Sequence, residues 1–165
     1  MVPSRTARRG GFAAWRPNVS LKGREAVLQN LELIETFVAE NSADFSEEEL
    51  DTVRSWRNLV HGSFHVFREL AKYTVLLSAS DAAIAYGVLA LSQPFEELIG
   101  PYLPVLTQTV LLPFKDKIVY DGMMRSLHIS YGPGVRRSVT ERFKVAKFAH
   151  GTVTMVAWTG MPSMS

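Results

Sequence analysis

The stretch "YGPGVRRSVTERFKVAKFAHG", residues 131–151, holds the side chains best suited to chemistry in this chain. Gly132, Pro133 and Gly134 make a turn that runs into a helix-like pattern carrying Arg136, Arg137, Lys144 and Lys147. A helix start offers free N–H groups and the positive end of the helix dipole, and each guanidinium adds paired donors for phosphate oxygens. The residue types and spacing therefore allow an anion-holding site, with a glycine turn before an ordinary amphipathic helix as the alternative. Two phosphate-loop patterns are not met, because one needs Lys-Ser/Thr after its glycines and the other needs G-x-G-x-x-G after a strand. Lys115 and Lys117, with Arg125, are expected to join the same face from the preceding strands. Tyr120 and Tyr131 offer rings on which bases stack.

Other chemistries are thinly represented. Asp121 and His128 stand close enough in sequence to line a pocket, with Ser126 or Ser130 as nucleophile, but no nucleophile-elbow motif surrounds either serine. His61 and His65 have a helical metal-pair spacing, yet Gly62 and the strand-like pattern after it break that geometry, and no H-E-x-x-H acid accompanies them. Glu96 and Glu97 are adjacent, so on a helix they point about 100° apart and make a poor acid–base pair. No catalytic residue, metal site or cofactor is assigned. Cys is absent, which excludes disulfides and thiolate metal sites and fits a cytoplasmic setting. No apolar run reaches the length of a membrane span, so no membrane partner is expected.

Charge is unevenly spread over the 165 residues although the net value is only +2. Residues 25–69 hold ten acids against three bases, and residues 115–151 hold eight bases against three acids. Such an asymmetry suits two surfaces with different partners, or one oligomer held by both.

The elements that must position these groups follow from periodicity. Residues 1–20 are basic, without periodicity, and read as a flexible arm. Residues 21–158 read as one domain and 159–165 as a tail. Val27, Leu28, Leu31, Ile34 and Val38 place one stripe on a helix running from Arg24 to Glu40. Ser46 with Glu49 makes a capping box for a second helix, whose buried face is Leu50, Val53, Trp56 and Val60 and which Gly62 ends. Strands follow over 64–70 and 73–78, joined at Ala71–Lys72, and over 84–91, where Gly87 marks a close backbone approach. After a helical turn at 94–99, a strand over 105–114 must leave Pro113 at its edge or end. A fifth begins after a Lys115–Asp116 turn, and "SLHISYG" reads as a sixth. The closing helix spans Gly134 to about Ala149, with Val135, Val139, Phe143, Ala146 and Ala149 as core and Ser138 with Glu141 as a second capping box.

Helices, then gathered strands, then a helix argue for an α+β fold. The expected architecture is two N-terminal helices, a bent antiparallel sheet or small open barrel of five to six strands, and a C-terminal helix.

The blocks "SWRNLVHGSFHVFRELAKYTVLL", "AYGVLAL", "GPYLPVLTQTVLLPFKDKIVYDG" and "YGPGVRRSVTERFKVAK" with "GTVT" resemble an uncharacterised bacterial protein family over roughly residues 27–156. The resemblance implies a self-contained domain in which 110–122 and 131–147 matter together, and it implies no activity. The expected function is that of a non-enzymatic binding module whose basic face meets nucleic acid or another acidic partner. The alternatives are a protein-interaction or homo-oligomerisation domain, and an enzyme acting on a small anionic ligand at the 132–137 turn.

Overall fold

The computed structural model describes residues 17–154 apart from residues 92, 128 and 130. Helices α1 (Pro17–Gln29), α2 (Glu32–Glu40) and α3 (Glu47–Ser55) open the fold, with a 3-10 turn at Trp56–Asn58. Strands β1 (Val60–Glu69), β2 (Thr74–Ser78) and β3 (Ala85–Val88) precede the short α4 (Phe95–Ile99). Then come β4 (Val105–Phe114), β5 (Lys117–Leu127), α5 (Pro133–His150) and β6 (Thr152–Val153). The class is α+β, as the sequence pattern implies.

The helix expected from Arg24 to Glu40 is two helices. Asn30 divides them: its Oδ1 accepts the Glu32 N–H at 3.1 Å, so the side chain starts α2 instead of continuing α1. Asn41, with φ 37°, closes α2 in the left-handed region. The Ser46–Glu49 capping box forms as expected, with Glu49 Oε2 2.8 Å from Ser46 N. Gly62 does not end the next helix. It lies within β1, where Val60 already pairs with Leu111 and Gly62 with Thr109, so sheet pairing takes the chain before the glycine is reached.

The strands form an open six-stranded sheet in the order β5-β4-β1-β2-β3-β6. It is mixed rather than wholly antiparallel, because β6 runs parallel to β3. The sixth strand is this one, Thr152–Val153; of "SLHISYG", Ser126 and Leu127 end β5, and residues 128 and 130 lie outside the described residues. The Asp121–Gly122 pair, which reads as a turn, is a bulge that keeps β5 in one piece. Gly122 has φ +83°, Asp121 Oδ1 accepts the Met123 N–H at 3.1 Å, and the β4–β5 register slips between Thr109 and Leu111. Pro113 lies where β4 has outrun β1, whose pairing stops at Leu111, so its missing N–H costs no bond to that strand. The sheet curls far enough for Leu89 N–H to donate to Ile118 C=O at 2.9 Å.

Two clusters flank the sheet. On its inner face Phe64, Val66, Leu76, Tyr86, Val88, Leu111 and Ile118 pack with Phe95 of α4. Burying each of the larger of these side chains stabilises the fold by roughly 1.5–3 kcal/mol. On the outer face α5 sets Val139 and Ala146 against Val75, Leu77 and Ala85. Helices α1–α3 cover a different part of that outer face, over β4 and β5.

Candidate functional site

Gly132 is the N-cap of α5 and Pro133 opens its first turn, which a fixed φ favours. The helix is therefore well under way at Ser138, and the second capping box does not form. Glu141 instead pairs with Lys144 at 2.9 Å. Of the expected core stripe, Val139 and Ala146 are buried and Phe143 is half-buried, whereas Val135 and Ala149 are exposed. A straight helix lying on a curled sheet touches it through the middle of its length, which leaves both ends outside the contact.

This shallow seating leaves most of α5 to solvent. At about 100° per residue, Arg136, Lys147, Lys144 and Arg137 fall within an arc of roughly 100°. Glu141 is the sole acid on the helix. Phe148, one turn beyond Lys144, is 97 % exposed. Arg68 of β1 adds a cation at the edge of this face that sequence reasoning missed. Its guanidinium carbon lies 5.1 Å from the Phe67 ring centre and 5.8 Å from that of Phe143, and those rings are 4.7 Å apart. Arg68 reads as an ordinary strand residue, and nothing near it in sequence gives away its place beside α5.

Lys115 and Lys117 do not join the face. They sit at the β4–β5 turn, where Lys115 takes a left-handed φ of 54°. Lys115 Nζ lies 2.9 Å from Glu48 of α3 and Lys117 Nζ lies 3.2 Å from Asp116. The hydrogen bond from Lys115 holds the Glu48 carboxyl below its usual range, and the same bond raises Lys115. At Gly132 and Gly134 an added Cβ would meet no atom within 4 Å, so neither glycine is there for a tight backbone approach.

The tyrosines face elsewhere. Tyr120 is buried against Phe95, with ring centres 5.3 Å apart. The Tyr131 hydroxyl lies 2.6 Å from His65 Nδ1, and the Tyr131 carbonyl accepts from Arg136 Nε at 3.3 Å. Burial, with Arg142 nearby, pushes the His65 pKa down from its ordinary value. Arg142 turns inward from α5 and donates to the Ser80 carbonyl.

His61 and His65 are on one strand face about 13 Å apart, too far to share an ion. Among the described residues no three His, Cys, Asp or Glu side chains cluster as a metal set. Asp121 lies under α1, where Arg24 Nε approaches its Oδ2 at 2.7 Å, while Arg136 stands on the exposed first turn of α5. His128 and Ser130 lie outside the described residues. No helix of the described residues is long and apolar enough to cross a membrane.

Compared with protein-family models, with curated proteins and with solved structures, the chain finds no match in any of the three. What it does must therefore be argued from its own surface.

Proposed function

We propose that the protein is a binding module that holds single-stranded nucleic acid along the exposed face of α5. The observation that carries this reading is the grouping of Arg136, Arg137, Lys144 and Lys147 on one arc beside the 97 % exposed Phe148. From Arg136 to Lys147 the helix rises roughly 17 Å, enough to follow several phosphates. A solvent-facing phenyl ring among cations gives an unpaired base a surface to stack on, and Arg68 extends the positive edge.

The competing partner, the acidic helices of a second copy, is less well supported. Several of their carboxylates are already engaged within the chain: Glu32 and Glu35 by Arg57, Asp51 by Arg54 and Glu48 by Lys115. On α5 Lys144 is held in the same way by Glu141, whereas Arg137 and Lys147 have no ion pair among the described residues.

Binding through about four phosphates to single strands gives a slope of log K against log salt near −3. Fluorescence anisotropy with a labelled single-stranded oligonucleotide across a salt series measures it. Absence of binding at the lowest salt rejects the reading, and tighter binding of the matching duplex rejects the single-strand preference.

A further inference from the structure

A cavity of about 510 Å³ lies between α1–α3 and the outer face of β4 and β5, away from the cationic face of α5. That volume is within the range of pockets that enclose small molecules. Val27, Ile34, Val110 and Leu112 are among its walls, and its polar lining is limited to Ser20, the Arg24–Asp121 pair and the indole of Trp56. Gly23, an exposed residue of α1, stands only at the cavity's rim. One detail separates the cavity from loosely filled core. Trp56 Nε1 is out of water and has no acceptor among the described residues. A buried N–H without a partner is costly, and an acceptor brought in by an occupant relieves that cost.

We infer that this cavity binds an uncharged, largely apolar molecule whose single oxygen acceptor meets Trp56 Nε1. The charge of the occupant follows from the walls. Arg24 and Asp121 neutralise each other, with Nε 2.7 Å from Oδ2 and Nη2 3.3 Å from Oδ1. Among the described residues the cavity's one cation and one carboxylate are this pair, although Arg24 Nε, like Trp56 Nε1, makes no hydrogen bond of good geometry. A carboxylate or an ammonium would be buried there without a counter-ion of its own, which an apolar site penalises heavily. A long-chain alcohol has the required chemistry: an alkyl body for the apolar walls and one hydroxyl oxygen for the indole.

The test uses the full chain, Nile red as a reporter and 1-dodecanol as competitor. Dodecanol is expected to displace the dye saturably, with dodecanoate and dodecylammonium at least tenfold weaker. Val27→Trp puts an indole into the space from α1 and is expected to lower dodecanol affinity at least tenfold, read against its own Tm so that a fold defect is recognised. Trp56→Phe keeps the ring and removes the donor, so dodecanol is expected to bind two- to tenfold more weakly. No displacement by dodecanol overturns the proposal. Undiminished affinity in both variants overturns the site, and equal binding of a charged analogue overturns the neutral occupant. A dimer that light scattering finds unchanged by dodecanol, combined with no displacement, assigns the cavity to a second copy instead.

Discussion

Arg24 of α1 and Asp121 of β5 form an ion pair at 2.7 Å across 97 positions of sequence, with side chains only 17 % and 11 % exposed. A second nitrogen, Nη2, reaches both Asp121 Oδ1 and the Met123 carbonyl at 3.3 Å. The pair ties the first helix to the bulge in β5. Burial nonetheless pushes the Asp121 pKa up, against the lowering effect of Arg24. Arg24→Met is expected to destabilise the fold by about 2–4 kcal/mol in urea unfolding, because it strands a buried carboxylate. With the folded pKa above the unfolded one, the folded state holds the proton more tightly, so the Arg24→Met deficit is expected to be larger at pH 7 than at pH 4.5. The double variant Arg24→Met/Asp121→Leu should recover most of the loss. A deficit that is flat with pH and unrelieved by the second change contradicts the assignment.

Gly87 tests how closely the sheet edge is packed. A Cβ at this position would lie 2.8 Å from the Tyr73 ring and 2.8 Å from Thr154 Cγ2. β3 is buried throughout, and β6 packs beside it, so neither neighbour moves aside freely. Gly87→Ala is expected to cost about 1–3 kcal/mol by overpacking. Thermal unfolding reads this directly, and an unchanged or raised Tm would falsify the crowding.

The same position illustrates what the amino-acid order discloses. A glycine inside a strand pattern announces a bulge or a close backbone approach, and at Gly87 it is the Tyr73 and Thr154 side chains that come close. The Ser46–Glu49 box and Pro113 are equally local signals, and the structure places both as their chemistry requires. Two other local signals were misleading, because a side chain bonding the backbone two residues on has more than one outcome. Asn30 divides a helix whose apolar stripe reads as continuous, and Asp121–Gly122 bends a strand where the residue types alone call for a turn. In the candidate site, the helical period groups Arg137, Lys144 and Lys147, with Glu141 among them, and leaves Arg136 beside the turn. It had no means of showing that Lys115 meets Glu48, or that Arg68 arrives beside Phe143 from another element.

His65 and Tyr131 make a pH-dependent contribution under the start of α5. The ring and hydroxyl are 2.6 Å apart, and burial with Arg142 nearby lowers the His65 pKa from its ordinary value near 6.5. In the window below about pH 6.5 the unfolded chain binds the proton that the folded one refuses. Stability from this group is therefore full above that window and is lost as pH falls through it. His65→Gln is expected to flatten the rise of stability between pH 5 and pH 7 that urea unfolding detects. Tyr131→Phe is expected to cost about 1 kcal/mol at pH 7.5. A His65→Gln variant with the same pH slope as the parent rules out this titration.

The proposed nucleic-acid binding on α5 is tested by comparing two sets of cations of equal formal charge. Lys115 and Lys117 are each held by a carboxylate at the β4–β5 turn, whereas Arg137 and Lys147 share the outward arc of α5. Lys115→Gln/Lys117→Gln and Arg137→Gln/Lys147→Gln both remove two positive charges, so a purely net-charge attraction weakens equally in the two variants. A face-specific interaction does not. The α5 pair is expected to reduce the salt slope by about 1.4, roughly 0.7 for each phosphate of a single strand that is no longer neutralised. The turn pair is expected to leave the slope within error of the parent. Phe148→Ala is expected to weaken binding about 5- to 100-fold at constant slope, because stacking releases no counterions. Equal weakening by the two charge pairs would move the interaction off α5 and onto the overall field of the molecule.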